Sequence, residues 1–153
     1  LEAGILGSFY NVSVPSYSNN NLDVGTGPGL HFRIGGQFTD LIGAQVEVSG
    51  GFIVLAAYAR TAIALNLTPV RWFTVSGGPA LGYLASVGGS SAYAGITLRA
   101  NFHVYQRRTA SGRRHSLTLG IGGDVGGSFA ISDIDAVSGT TVGALLDVGY
   151  TLH

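Results

Sequence analysis

The chain has 153 residues, a length that suits one domain, and only 10% of them are charged, against about 25% in a typical soluble domain. Hydrophobic residues make up 46% and mean hydropathy is +0.36, so sixteen ionic side chains would have to solvate an unusually apolar molecule. Eight basic residues, all Arg, balance eight acids, which leaves no nucleic-acid footprint at the level of the whole chain, and the absence of Cys excludes a disulfide framework and thiol chemistry.

The segments alternate with a period of two, each about ten residues long and separated by Gly, Ser, Asn, Asp and Pro clusters. The first runs from Gly4 to Val14 and is followed by a polar loop, Pro15 to Val24. The second, Gly27 to Phe38, sets Leu30, Phe32 and Ile34 against His31, Arg33 and Gln37. After a turn at Thr39-Asp40 the third, Ile42 to Ser49, sets Ile42, Ala44, Val46 and Val48 against Gln45, Glu47 and Ser49. Gly50-Gly51 reads as a tight connection into the fourth, Phe52 to Leu67, where Leu55, Ala57, Ala59, Ile63 and Leu65 oppose Tyr58, Arg60 and Asn66. A turn at Thr68-Pro69 leads to the fifth, Trp72 to Ala85, with a bulge or lipid-side kink expected at Pro79. Beyond a loop at Ser86 to Ser91, Ala94, Ile96, Leu98, Ala100, Phe102 and Val104 alternate with Tyr93, Thr97, Arg99, Asn101, His103 and Tyr105. The turn Gln106 to Arg114 precedes the seventh segment, His115 to Ser128, in which Leu117, Leu119, Ile121 and Val125 oppose Ser116, Thr118, Gly122 and Asp124. A loop from Ala130 to Thr140 precedes the last, where Val142, Ala144, Leu146, Val148, Tyr150 and Leu152 alternate with Thr141, Gly143, Asp147, Gly149 and Thr151.

Eight strands nearly exhaust the chain and no helical period interrupts them. An even number suits an antiparallel up-and-down barrel with both termini at one end. No apolar run reaches the roughly 18 residues of a spanning helix; the longest, Phe52 to Ala59, stops at Arg60.

Alternation alone does not say which face is inside. The composition of the polar face does. It is poor in the Lys and Glu of a solvated surface and rich in Gly, Ser and Thr, which suit the crowded interior of a narrow barrel. Arg33, Arg60 and Arg99 stand against Glu47, Asp124 and Asp147, all on the polar faces. A buried charge without a partner costs several kcal/mol, roughly, so three of each sign predict a neutral lumen network, with Gln45, Asn101 and His103 beside it. The competing reading is a soluble ligand-binding barrel of the lipocalin or avidin kind, with the same six charges in water on its outer wall.

The pattern resembles the small eight-stranded outer-membrane barrels, the family of the OmpA transmembrane domain and OmpX. The last strand carries the resemblance furthest: such barrels end on an aromatic residue preceded by alternate apolar positions, and Ala144, Leu146, Val148, Tyr150 and Leu152 follow that rule, with Leu152 in the aromatic place and His153 after it. The resemblance implies one all-β transmembrane barrel domain over residues 1–153, a bacterial outer-membrane location after removal of a signal peptide, a lipid bilayer as surroundings, the assembly machinery as a partner during biogenesis, and a monomer. It also implies that the termini and the turns near Thr39, near Pro69 and at Gln106–Arg114 face the periplasm. The Pro15–Val24, Gly50-Gly51, Ser86–Ser91 and Ala130–Thr140 connections would face outward.

Other chemistry is weakly signalled. Gly120-Ile121-Gly122-Gly123 lacks the helix and Lys of a phosphate loop. His31, His103 and His115 have no metal-ligand spacing, so neither metal nor cofactor is expected. His115-Ser116 invites comparison with lipid-modifying barrels, but strand neighbours point to opposite faces, and no catalytic residue is assigned. Arg107, Arg108, Arg113 and Arg114 place half of the basic residues in one turn, where they either anchor the barrel's depth or meet lipid phosphates. Trp72 and Tyr10, Tyr17, Tyr83, Tyr93, Tyr105 and Tyr150 fall mostly near strand ends, as interfacial girdles would.

Overall fold

The computed structural model describes residues 2–13, 26–53, 56–86, 89–110, 114–130 and 138–152, and for β1 (Glu2–Ser13) it describes the backbone pairing alone. The remaining strands are β2 (Thr26–Gln37), β3 (Ile42–Ile53), β4 (Ala56–Val70), β5 (Phe73–Ser86), β6 (Gly89–Arg108), β7 (Arg114–Ala130) and β8 (Ser138–Leu152). Each pairs antiparallel with its sequence neighbours, and β8 pairs with β1, closing the barrel. This is the all-β, eight-stranded up-and-down architecture expected from the alternation. Closure leaves no unpaired sheet edge, the condition for strands to cross hydrocarbon.

The stagger follows from the ladders. A path through paired residues leaves β1 at Glu2, passes Arg33, Glu47, Ala62, Ala80, Gly95, Gly126 and Thr141, and re-enters β1 at Val12, ten residues further on. Such a shear inclines the strands by roughly 35–45° to the barrel axis, and an eight-stranded interior is just wide enough for side chains to fill.

Several boundaries differ from the sequence reading. Gly50 and Gly51 are no connection: both lie in β3, paired with Ala59 and Tyr58. The strand continues there because only Gly fits. A Cβ on Gly51 would sit 2.3 Å from the Pro28 carbonyl oxygen. Thr68-Pro69 is no turn either; β4 runs to Val70 and Arg71-Trp72 makes the reversal. Ser90 and Ser91 belong to β6, and Gln106 to Arg108 extend it, so that Arg107 pairs with His115 and Arg108 with Arg114. Pro79 causes no bulge, since the β4–β5 register is the same at Ala62↔Ala80 and Leu65↔Gly77 on either side of it. Its missing N–H has no strand to weaken beyond its own rung, and the ring faces outward.

A bulge does occur at Val104, which has no partner between His103↔Thr118 and Tyr105↔Leu117. The extra residue reverses the alternation, so Tyr105 lies on the outer wall at 58% exposure instead of facing the lumen with His103. The reversal at residues 38–41 is held by Thr39. Its hydroxyl accepts from the Leu41 and Ile42 amides at 3.2 and 2.9 Å, while the Phe38 and Thr39 amides donate to the Ile42 carbonyl.

Outside and inside are the inverse of a soluble fold. Leu30, Ile34, Ile63, Leu65, Ile96, Leu98, Ile121 and Leu146 are each more than half exposed, and each strand from β2 to β8 contributes to this wall. The outward positions of β6 from Ala94 to Val104 span about 25 Å along the axis, at about 3.3 Å per residue and roughly 40° of tilt, the height of a hydrocarbon band. The buried set is mostly polar: Arg33, Glu47, Arg60, Arg99, Asn101, Asp124 and Asp147 are all at 5% exposure or less. A contiguous apolar belt of this extent on a water-soluble monomer would drive association. The barrel is of the transmembrane kind.

Candidate functional site: the lumen

Six strands each send one ionic side chain to the axis. Glu47 of β3 is the hub. Its Oε2 accepts from Arg33 Nε at 2.7 Å, and its Oε1 accepts from Arg99 Nη2 at 2.7 Å and from Arg60 Nη1. Asp147 of β8 accepts through Oδ2 from Arg33 Nη2 at 2.9 Å and from Arg99 Nη1. Asp124 of β7 takes Arg60 in a fork, Nε to Oδ2 at 2.6 Å and Nη2 to Oδ1 at 2.8 Å. All six side chains are at 4% exposure or less. The guanidinium forks are filled further by Thr97 Oγ1, 2.7 Å from Arg60 Nη2, and by Asn101 Oδ1, 3.4 Å from Arg33 Nη1; the Tyr93 hydroxyl donates to Asp124 Oδ2 at 3.2 Å. Arg suits this role because its planar fork bridges two carboxylates at once.

Glycine makes the room. A Cβ on Gly120 would lie 2.4 Å from both Asp147 carboxylate oxygens, and one on Gly82 would lie 1.9 Å from the Tyr93 ring. The lumen is therefore filled by a few long side chains lying across bare backbone, which accounts for much of the glycine excess.

His103 faces the lumen, as its phase implies. It lies nearer the end that carries the termini. There its Nδ1 faces the hydroxyls of Ser116 at 3.4 Å and Thr118 at 3.3 Å, and its Nε2 faces Thr74 Oγ1 at 3.3 Å. Two residues separate it from Arg99–Asn101, enough to put it in the next layer of side chains. Gln45 likewise pairs with Asn66, whose Nδ2 donates to its Oε1 at 3.2 Å. Both belong to a cavity of about 780 Å³ that opens at that end and reaches inward to Arg33 and Asn101. Its wall carries the amides and hydroxyls of Gln37, Asn66, Thr68, Thr74 and Gln106, with Asp40, Arg71 and Arg108 also among its lining residues.

Toward the opposite end the lumen changes character. Tyr58, Leu84, Tyr93 and Leu145 are all buried, Leu145 with no exposed surface. The sequence reading missed this layer. Leu145 stands on the polar face of its strand, and an apolar residue in that phase was the available signal. Tyr93, read as an interfacial aromatic, is a lumen residue.

Of the turn arginines, Arg107 and Arg108 are exposed, Arg107 in outward and Arg108 in cavity-facing register; Arg113 and the side chain of Arg114 lie outside the described residues. His115 faces outward and its Nδ1 bonds the Tyr150 hydroxyl, so it is on the other wall from Ser116, which is buried. Tyr83, Tyr105, Tyr150 and Trp72 are on the outer wall; Tyr17 and the Tyr10 side chain lie outside the described residues. Among the described residues no group of three His, Asp or Glu is arranged to hold a metal ion.

No family model matches the chain, and no curated protein does. Among solved structures it is similar to the crystal structure of Ail, the attachment invasion locus protein of Yersinia pestis, at 14% identity over 97% of each chain and a TM-score of 0.40. It is also similar to the same outer membrane protein in a phospholipid bilayer nanodisc, at 12% identity over 95% of this chain and 98% of that one, TM-score 0.35. A third likeness is to the KdgM porin in complex with disordered oligogalacturonate, at 13% identity over the whole of both chains, TM-score 0.30.

Proposed function

We propose that the chain is a monomeric, non-enzymatic outer-membrane barrel whose lumen is closed, so that it serves as a structural or interaction element of a bacterial outer membrane rather than as a diffusion pore. The observation that carries this reading is the ionic layer: three Arg and three acids, nearly devoid of exposed surface, bonded across the axis between an apolar wall outside and a cavity open at one end. Beyond that layer Tyr58, Leu84 and Leu145 are buried beside His31, Ser49, Ser128 and Thr141, so an ion would have to displace the ionic layer and then a second, mixed layer of side chains. In this reading residues 1–153 act as a single barrel domain, exported with loss of its leader, inserted by the assembly machinery through its last strand, and without nucleic acid, metal or cofactor.

The test is electrical and electrophoretic together. Detergent-refolded protein is expected to show heat-modifiable gel mobility and no long-lived open state in a planar lipid bilayer. Sustained channel openings from the heat-modifiable species would overturn the closed lumen. A chain that stays in solution without detergent would overturn the membrane reading itself.

A further inference from the structure

We propose that the end of the barrel carrying the Arg71-Trp72 turn and the β6–β7 hairpin is a binding surface for the headgroups of anionic glycerophospholipids. This rests on the membrane reading above and adds which lipid borders the protein, and where.

The first observation is the segregation of charge. Of the eight Arg, three are consumed in the lumen. The other five cluster at the end where the chain begins and finishes: Arg71 in the β4–β5 reversal, Arg107 and Arg108 closing β6, Arg114 opening β7, and Arg113 just before it in the sequence. The connections at the opposite end, residues 14–25, 54–55, 87–88 and 131–137, contain Asp23, Asp133 and Asp135 and no basic residue. At the basic end the acids are Glu2 and Asp40. A chain that is neutral overall is thus strongly polarised along its axis.

The second observation is depth. Trp72, at 57% exposure, stacks on Phe102 with ring centroids 6.4 Å apart and planes 19° from parallel, and Phe73 lies 5.0 Å from the same ring. Such a cluster of exposed aromatics marks the boundary between hydrocarbon and headgroup. The strand β6 has its last β5 partner at Phe102 and runs on to Arg108 paired with β7 alone. At about 3.3 Å per residue and roughly 40° of tilt, the three residues from Val104, the last of the apolar band, to Arg107 descend about 8 Å along the axis. That carries Arg107 to the outer part of the headgroup layer, which is roughly 5–8 Å deep.

The third observation is the chemistry at that depth. Arg107 lies in outward register beside His115, whose ring is held by the Tyr150 hydroxyl. Tyr105 is exposed on the same wall, whereas Arg71, which directly precedes Trp72, lines the mouth of the cavity. Guanidinium groups bind phosphate oxygens through paired N–H donors, and a phosphatidylglycerol headgroup offers that phosphate without the amine or choline that cancels its charge. The occupant is therefore a phosphatidylglycerol-type lipid in the leaflet at this end.

Trp72 is the chain's single Trp and stands at the proposed site, so it reports its own lipid neighbours. The protein is refolded into phosphatidylcholine vesicles containing equal fractions of either brominated phosphatidylglycerol or brominated phosphatidylcholine, and Trp72 quenching gives the relative binding constant of the two lipids. At low salt that constant is expected to favour phosphatidylglycerol by about fivefold or more, the effect of roughly one Arg–lipid contact. It is expected to fall toward one at about 1 M salt, where the screening length is about 3 Å, and in Arg107→Gln, with heat-modifiable mobility confirming that the variant folds. A constant near one for the wild type, or a preference unchanged in the variant, overturns the proposal while leaving the barrel in its membrane. Lipopolysaccharide displacing brominated phosphatidylcholine from Trp72 better than phosphatidylglycerol does also overturns it, in favour of a different occupant. Absence of quenching by either brominated lipid defeats the membrane reading and this inference with it.

Discussion

Glu47→Gln removes one charge and almost no volume, and its cost measures how far the ionic layer holds the barrel. Glu47 meets three guanidinium groups and its side chain is 4% exposed. At an effective dielectric of about 20 and roughly 4 Å between charge centres, each pairing contributes ~4 kcal/mol, so the gross attraction lost is ~12 kcal/mol. Against this stand the mutual repulsion of three Arg and the several kcal/mol, roughly, that each buried ion costs in desolvation. The difference is expected to fall at about 3–5 kcal/mol, the range for orphaning a buried partner. Urea unfolding from lipid vesicles, followed by Trp72 emission, reads it directly. Glu47→Gln/Arg99→Gln, which removes one charge of each sign, is expected to recover at least half of the loss. A single-variant loss below about 1 kcal/mol is what a solvated surface pair gives and refutes a dry lumen; a double variant worse than the sum of its singles refutes charge balance as the cause.

Two further outcomes test the wall and the packing. Leu98, 64% exposed at mid-wall, changed to Arg is expected to cost about 2–4 kcal/mol in the same vesicle unfolding assay, whereas on a solvated sheet it would be nearly neutral. Gly82→Ala sets a Cβ into the Tyr93 ring and so pulls its hydroxyl from Asp124, at an expected cost of about 1–3 kcal/mol; trimming Tyr93 to Leu in the same chain is expected to return some of that stability.

What was legible in the sequence followed from period two. The phase of Arg33, Glu47, Arg60, Arg99, Asp124 and Asp147 against their apolar neighbours needs no structure, and the scarcity of Lys and Glu argues which face is inside. Pairing was not legible. That Glu47 meets three Arg depends on a stagger of ten residues, which no local pattern encodes. Turn positions failed where Gly serves packing instead of reversal, as at Gly50-Gly51 under Pro28 and Tyr58. His103 shares the phase of the charges, but phase says which wall a residue faces and not how deep it lies. The bulge at Val104 left no mark at all, since Val and Tyr are both ordinary strand residues, and one unpaired Val moved Tyr105 across the wall.

The distribution of the ionic layer along the chain bears on how the barrel shuts. The N-terminal four strands bring Arg33, Glu47 and Arg60, a surplus of one positive charge; the C-terminal four bring Arg99, Asp124 and Asp147, a surplus of one negative. Two half-barrels emerging in order would attract each other across the gap between them, while two copies of the same half would repel. The bond from Asp147 of β8 to Arg33 of β2 bridges the seam and forms only when the last strand comes round to the first, so that part of the electrostatic gain is withheld from curled but unsealed chains.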